Sequence, residues 1–147
     1  MKILANNKKV GHDYYILETF ECGIVLKGTE IKSIRLGKFS INEAYVKISN
    51  DFQAYIINMH VAKYEQGNIF NHKETRNKKL LLSKREIIKL SQKLKLEGLT
   101  LVPTKVYLNE GLCKIEIALC KGKKLYDKRE SQKEKDATKR MEKVIKY

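Results

Sequence analysis

The stretch Tyr14-Tyr15-Ile16-Leu17-Glu18-Thr19-Phe20-Glu21-Cys22-Gly23-Ile24-Val25-Leu26 decides the fold class. It is dense in aromatic and β-branched side chains, which suit a pleated, half-buried surface, and so predicts one long strand. Gly23 falls inside it, where a missing side chain marks a bulge or the bend of a barrel corner. Two alternating runs follow, Ala44-Tyr45-Val46-Lys47-Ile48 and Phe52-Gln53-Ala54-Tyr55-Ile56-Ile57, separated by the turn chemistry of Ser49-Asn50-Asp51. They predict a hairpin. A second hairpin is predicted from Thr100 to Leu108, the turn Asn109-Glu110-Gly111, and a partner in which Cys113, Ile115, Ile117 and Leu119 alternate with Lys114, Glu116 and Ala118. Pro103 removes one ladder donor, so its strand should run along an edge or carry a bulge there.

Helical signals are fewer. Thr29 to Leu36 lies between Gly28 and Gly37, with Thr29 able to cap and Ile31 and Ile34 three apart, which predicts two turns. Ser83-Lys84-Arg85-Glu86 is a capping box opening a helix whose apolar face is Ile87, Leu90 and Leu94 and whose stop is Gly98. This helix should cover one end of the sheet. From Lys63 to Lys79 there are three asparagines and five basic residues and no sustained period, which reads as a long, basic, exposed loop. Short strands with two to three helices make the expected class mainly β, an OB-like antiparallel barrel, since closure removes exposed sheet edges.

From Lys121 onward the composition changes: the last 27 residues hold 11 basic and 5 acidic side chains and few apolar ones. Ala137, Met141, Val144 and Ile145 form a short stripe at helical spacing, and a segment of this kind orders only against a surface. The expected organisation is a barrel over 1–121 and a basic tail over 122–147, disordered when free and helical when bound.

The 147 residues include 31 Lys or Arg against 17 Asp or Glu, a net charge of +14, with 42% apolar residues. One domain with a real core fits this length. So much like charge on a small body points to a polyanion, with nucleic acid ahead of an anionic membrane surface. Residues 1–9 lack the apolar core of a secretory leader, and no run approaches the roughly 20 residues that cross a bilayer. Cys22, Cys113 and Cys120 are odd in number and form no C-x-x-C pair, so reduced thiols in a cytoplasmic protein, without disulfides, are expected.

The signatures of catalysis are missing from the chain. It has no phosphate-binding glycine loop, and His12, His60 and His72 are too far apart for a local zinc pair. Cys113 and Cys120 sit an odd number apart, which puts them on opposite faces of a strand, and the same holds for Glu18 and Glu21. No metal, cofactor or enzyme activity is expected. What remains is basic and aromatic: Lys8, Lys9, Lys27, Lys32, Arg35, Lys38, Lys63, Lys73, Arg76, Lys78 and Lys79, with Tyr64 and Phe70 in the long loop. Such mixtures bind RNA by phosphate contact and base stacking.

Six ordered strings carry a resemblance: Gly11-His12-Asp13-Tyr14, Glu18 to Leu26, Gly28 to Lys38, Tyr64-Glu65-Gln66-Gly67-Asn68, Lys79-Leu80-Leu81-Leu82 and Gly122 to Arg129. Together they resemble the SsrA-binding protein family, also called small protein B. That resemblance implies an OB-type barrel gripping the elbow of the tRNA-like domain of transfer-messenger RNA. It further implies a C-terminal tail that becomes helical in the empty message channel of a stalled ribosome, beside the small-subunit decoding site. The partners so implied are transfer-messenger RNA and the ribosome, for a bacterial, cytoplasmic protein expected to be monomeric when free. A structural ribosomal protein, or a general binder of structured RNA, is the alternative that composition leaves open.

Carried over by the resemblance, Asn7, Glu21 and Lys114 fall on the family's RNA-contacting face, and Leu81 on its leucine string, where packing is the expected role. Lys8, Lys9, Lys32, Arg35, Lys38 and Arg76 are the expected further RNA contacts. In the tail, Lys123, Lys124, Asp127, Lys128 and Arg129 flank Tyr126, which falls where the family places a ring near the decoding site. The chain departs from the family's pattern at Gly11, where a basic residue is usual, and at Lys78 and Lys79, where arginine is common.

Overall fold

The computed structural model describes residues 2–65 and 71–123. In order, the elements are β1 (Lys2–Asn6), α1 (Val10–Asp13), β2 (Tyr14–Ile24), α2 (Gly28–Arg35), β3 (Phe39–Ser40), β4 (Tyr45–Ile48) and β5 (Ala54–Ile57), then β6 (His60–Val61), β7 (Lys78–Leu81), α3 (Lys84–Glu97), β8 (Thr100–Asn109) and β9 (Leu112–Gly122). Seven strands form one antiparallel sheet in the order β1-β8-β4-β5-β7-β2-β9, and β8 also pairs with β9. That last pairing closes the sheet into a barrel and leaves β1 as an added strand on β8. The pair β3–β6 forms a small separate ribbon.

The two expected hairpins are present. In β4–β5 the register runs Tyr45↔Ile57 to Ile48↔Ala54, and in β8–β9 it ends at Asn109↔Leu112. The second turn therefore has only two central residues, Glu110 and Gly111, both at positive φ (51° and 79°), which matches the right-handed twist of the strands it joins. The barrel interior is filled by Ile56, Leu80, Leu101, Val106, Ile115, Ile117 and Leu119, all essentially inaccessible, with Ile34 from α2 and Leu90 from α3 closing on them. Across the sheet from this core, Val10 of α1 packs on Val102, Ala118 and Cys120.

Two bulges make these two packing clusters possible. Leu17 has no partner between Ile16↔Cys120 and Glu18↔Leu119, and Thr104 has none between Pro103↔Ile117 and Lys105↔Glu116. An extra residue flips every later side chain to the opposite face. Accordingly Tyr14 belongs to the outer cluster while Phe20 and Ile24 belong to the core, and Leu101 and Val106 are both interior despite their odd separation. The sheet thus bulges at Leu17, with Gly23 instead at a junction where β2 bonds both β7 (Leu81) and β9 (Lys114). Pro103 does sit beside a bulge, but its strand is bonded to β1, β4 and β9 rather than lying at an edge.

Local signals correct the reading in three more places. Thr29 does not cap α2: Lys27 is the N-cap, its N–H donates to the Glu30 carboxylate at 2.7 Å, and the Thr29 hydroxyl instead bonds His72 Nδ1 at 2.8 Å. The helix at Ser83 is present, but its capping box is half made. The Ser83 hydroxyl accepts from the Glu86 N–H, while the Glu86 carboxylate accepts from that same hydroxyl. Its stop is as read, with Gly98 at φ +62°. The long basic loop is anchored rather than wholly exposed, because His72 and Lys78 are fully buried and Lys78 opens β7. The segments β1, α1, β3, β6 and β7 were not read from the sequence.

Candidate nucleic-acid interface

Strand register gathers the candidate residues of the barrel. On β2 and β9, Glu21 stands opposite Glu116 and Gly23 opposite Lys114, and on β8 and β9, Lys105 stands opposite Glu116 and Tyr107 opposite Lys114. Side chains at these positions share one face because strand periodicity is two. Two facing carboxylates destabilise a sheet unless donors reach them. Here the Tyr107 hydroxyl bonds Glu21, the Thr104 hydroxyl donates to Glu116 at 2.7 Å, and the Lys105 ammonium lies 3.9 Å from the same Glu116 oxygen. Burial first, and then the Glu21 carboxylate, push the Tyr107 phenol far above its ordinary range, so it acts only as a neutral donor.

Asn7 joins this face through the backbone. Its N–H donates to Thr104 O at 2.7 Å, and its side-chain oxygen accepts from Lys9 N–H at 3.2 Å, a local turn that presents Lys8 and Lys9 to solvent. Asn7, Glu21 and Lys114 thus lie along one outer surface. The partners that hold it together, Thr104, Lys105, Tyr107 and Glu116, were missed in the sequence, since nothing local says which strand faces which. Pro103 was the available signal for the bulge that frees Thr104.

A groove of about 300 Å³ continues this surface, lined by Gly23, Leu26, Ile31, Leu81, Leu112 and Lys114. Leu81 lies over the Gly23 backbone: a Cβ added to Gly23 would meet Leu81 Cδ1 at 3.3 Å. Leu81 packs there yet keeps 55% of its surface exposed. On α2, Glu30, Ser33 and Ile34 face inward while Lys32 and Arg35 are exposed, as is Lys38 just beyond the helix. The Lys32 ammonium sits 5.3 Å from the Tyr64 ring centroid, and Lys38 is 3.7 Å from Glu65. Ile31 lines the same groove as Cys113 and Lys114, which places α2 beside that end of β9.

Arg76 is placed differently from the other cations. Its Nε donates to Glu30 at 3.2 Å and its Nη2 to the same carboxylate and to Val25 O, and its side chain is only 27% exposed. Glu30 is wholly buried, and Lys78, equally buried, lies 3.7 Å from it and donates to Arg76 O at 2.7 Å and Met59 O at 3.2 Å. Burial alone would raise the Glu30 carboxyl, but Arg76, the Lys27 N–H and Lys78 hold it below its ordinary value. Burial lowers the Lys78 ammonium, against the pull of Glu30. With Thr29 bonded to His72, and His72 Nε2 donating to Val61 O at 2.9 Å, this network ties residues 71–78 to α2.

The other polar candidates are accounted for locally. Glu18 and Glu21 point to opposite faces as read, Glu18 lying 3.4 Å from Lys93 and 3.8 Å from Lys89 of α3. His60 bonds Glu74 at 2.8 Å and His12 bonds Asp13 at 3.1 Å. Cys113 belongs to the core and Cys120 to the outer cluster, and all three cysteines are free and buried. Among the described residues no group of three or more His, Cys, Asp or Glu is placed to hold a metal ion, and no helix is long and apolar enough to cross a membrane.

At the end of β9, Lys123 N–H donates to Asp13 O at 2.9 Å, its ammonium donates to Gly11 O at 3.1 Å, and that ammonium lies 4.8 Å from the Tyr15 ring centroid. The tail thus leaves the barrel beside α1. Lys124, Tyr126, Asp127, Lys128 and Arg129, and the expected disorder of the tail, lie outside the described residues, as do Gln66, Gly67, Asn68 and Phe70 of the long loop.

Comparison with known proteins gives one answer. The model of the SmpB protein family matches residues 4–147. The SsrA-binding protein of Carboxydothermus hydrogenoformans is 51% identical over 144 residues, covering 98% of this chain and 96% of that protein. That of Thermoanaerobacter pseudethanolicus is 51% identical over 146 residues, covering 99% and 93%. Among solved structures, a chain from one described as "tmRNA-SmpB: a journey to the center of the bacterial ribosome" superposes with a TM-score of 0.68 at 43% identity, covering 85% of this chain and 87% of that one. A family match spanning nearly every residue, on the barrel that the register builds, settles the family: the chain belongs to the SmpB, or SsrA-binding, proteins.

Proposed function

We propose that this chain binds the tRNA-like domain of transfer-messenger RNA and delivers it to stalled ribosomes for trans-translation, as an RNA-binding partner without catalytic activity. The observation that carries this reading is the single outer face on which the register sets Glu21 and Lys114 and to which Asn7 is tied through Thr104. A carboxylate there accepts from nucleobase amino groups or 2′-hydroxyls, the amide reads either, and lysines supply phosphate contacts. Lys8, Lys9, Lys32, Arg35 and Lys38 extend the basic surface, while Arg76 acts chiefly by holding Glu30. Relatives at about half identity that are named SsrA-binding proteins, and the likeness to a chain described with tmRNA and the ribosome, support the same reading.

In this reading residues 1–121 form the RNA-binding barrel. Residues 122–147 enter the decoding site and message channel, with Tyr126 stacking on rRNA and Lys123, Lys124, Asp127, Lys128 and Arg129 around it. The protein is a monomer when free, in the bacterial cytoplasm. A competition titration of the purified protein with transfer-messenger RNA against an equal mass of bulk tRNA tests it. Strong preference for the former is expected, with log K falling against log salt at a slope of about −4 to −5 if roughly six phosphates are neutralised. Equal binding to both RNAs would return the chain to a general or ribosomal RNA-binding role.

A further inference from the structure

The turn joining β4 to β5 carries a residue that local backbone chemistry does not favour. Phe52 has φ +58°, in the left-handed region that bulky L-residues rarely adopt and that glycine enters freely. The surrounding turn is well bonded: Ser49 N–H donates to Gln53 O at 2.9 Å, Phe52 N–H to Ser49 O at 3.1 Å, and Gln53 N–H to the Ser49 hydroxyl at 3.2 Å. Glycine would close this loop with less strain. Phe52 nonetheless keeps 40% of its surface exposed, so the strain is not repaid by full burial of the ring.

What the ring borders suggests why it stands there. Phe52 lines a cleft of about 320 Å³ between the turn, β7 and the start of α3. Leu82 and Ile87 give this cleft apolar wall, Gln53 an amide, and Lys79 and Lys84 two ammonium groups. One acid, Asp51, also lines it, and its carboxylate accepts the Ser49 hydroxyl. An aromatic face, an amide and two cations suit a nucleotide: the base stacks, the amide pairs with a base edge, and the lysines meet the phosphate. The cleft also adjoins the proposed RNA face, since Leu81 lines both it and the groove over Gly23 and Lys114.

We propose that the Phe52 cleft is a stacking site for one unpaired nucleotide of the same RNA that the Glu21 and Lys114 face binds. The site rests on the functional reading above and adds to it a second, separate base contact. It makes the unusual backbone at Phe52 a device for presenting a ring, so stability and affinity should respond in opposite directions when the ring is removed.

The test uses the full chain and transfer-messenger RNA at near-physiological salt. Phe52→Gly should melt at a temperature no lower than the wild type, yet bind the RNA at least about fivefold more weakly, the loss of one base stack. Phe52→Tyr should retain wild-type affinity and Phe52→Leu should not. The chain has no tryptophan, so Phe52→Trp supplies a single reporter whose fluorescence should be quenched on RNA addition. An undiminished affinity of Phe52→Gly, an unquenched tryptophan, or a lowered melting temperature that marks the ring as mere packing would each overturn the site. A loss seen with ribosomes but not with transfer-messenger RNA would overturn it too, by assigning the nucleotide to rRNA. If wild type itself shows no preference for transfer-messenger RNA over bulk tRNA, the functional reading fails first. Wild-type preference with full Phe52→Gly affinity removes the stacking site alone.

Discussion

Glu21 has a structural place in the sheet and, in the proposed function, a place in the RNA contact as well. It faces Glu116 across the β2–β9 ladder, and its carboxylate is steadied by the Tyr107 hydroxyl. Removing that hydroxyl leaves two carboxylates opposed with one fewer donor. Tyr107→Phe should therefore lower stability by about 1 kcal/mol, the net value of one hydrogen bond, in a denaturant titration. Glu21→Ala should relieve the opposition, leave the fold intact and weaken binding to transfer-messenger RNA; an unchanged affinity would remove Glu21 from the interface. The cysteines make the opposite case, of residues fixed by packing alone. Burial pushes the Cys22 thiol up to about 12 and those of Cys113 and Cys120 up to about 11. Since the thiolate is the reactive form, alkylation at pH 8 should be negligible in the native protein and reach all three after unfolding in guanidinium.

At the level of elements, the network between α2 and residues 71–78 turns two cations, Arg76 and Lys78, inward onto Glu30. Glu30 cannot lose Arg76 and Lys78 without leaving a charge buried and unpaired, and breaking such a pair typically costs about 3 to 5 kcal/mol. Glu30→Gln should destabilise the protein on that scale. It should also remove part of the acid sensitivity of the fold. Because the folded-state carboxyl is held below its ordinary value of 4.5, its contribution is complete above that pH and is lost as the pH falls through the lower folded value. Urea titrations between pH 7 and pH 3 should show a steeper fall for wild type than for Glu30→Gln. Equal slopes would mean that other carboxylates carry the acid transition. The same network explains why Lys78, read from composition as a surface cation, is interior: its aliphatic stem fills space and its ammonium is bonded to two carbonyls and near Glu30.

For the whole molecule, the proposed function divides the work between body and tail. The barrel closes through β8–β9, and the chain is pinned at its exit by Lys123 to Asp13 and Gly11, so truncation after Lys123 keeps these bonds. This truncation should leave affinity for the tRNA-like domain within about twofold of wild type and abolish tagging of nascent chains on stalled ribosomes. Loss of RNA binding on truncation would refute the division. The sequence by itself determined the mainly β class, both hairpins, the helix capped at Ser83 and stopped at Gly98, and the opposite facing of Cys113 and Cys120. Each of these depends on a period of two or 3.6 residues, or on a turn or cap within a few positions. Through its ordered strings it also carried the family. Tertiary structure alone decided the rest: the bulges at Leu17 and Thr104 that switch which face is inside, the internal pairing of Arg76 and Lys78, the bond from Thr29 to His72 in place of a cap, and the joining of Asn7 to Glu21 and Lys114. These depend on which distant strands pair and in what register, and that is set by closing the barrel around a common core, a condition no local window of sequence contains.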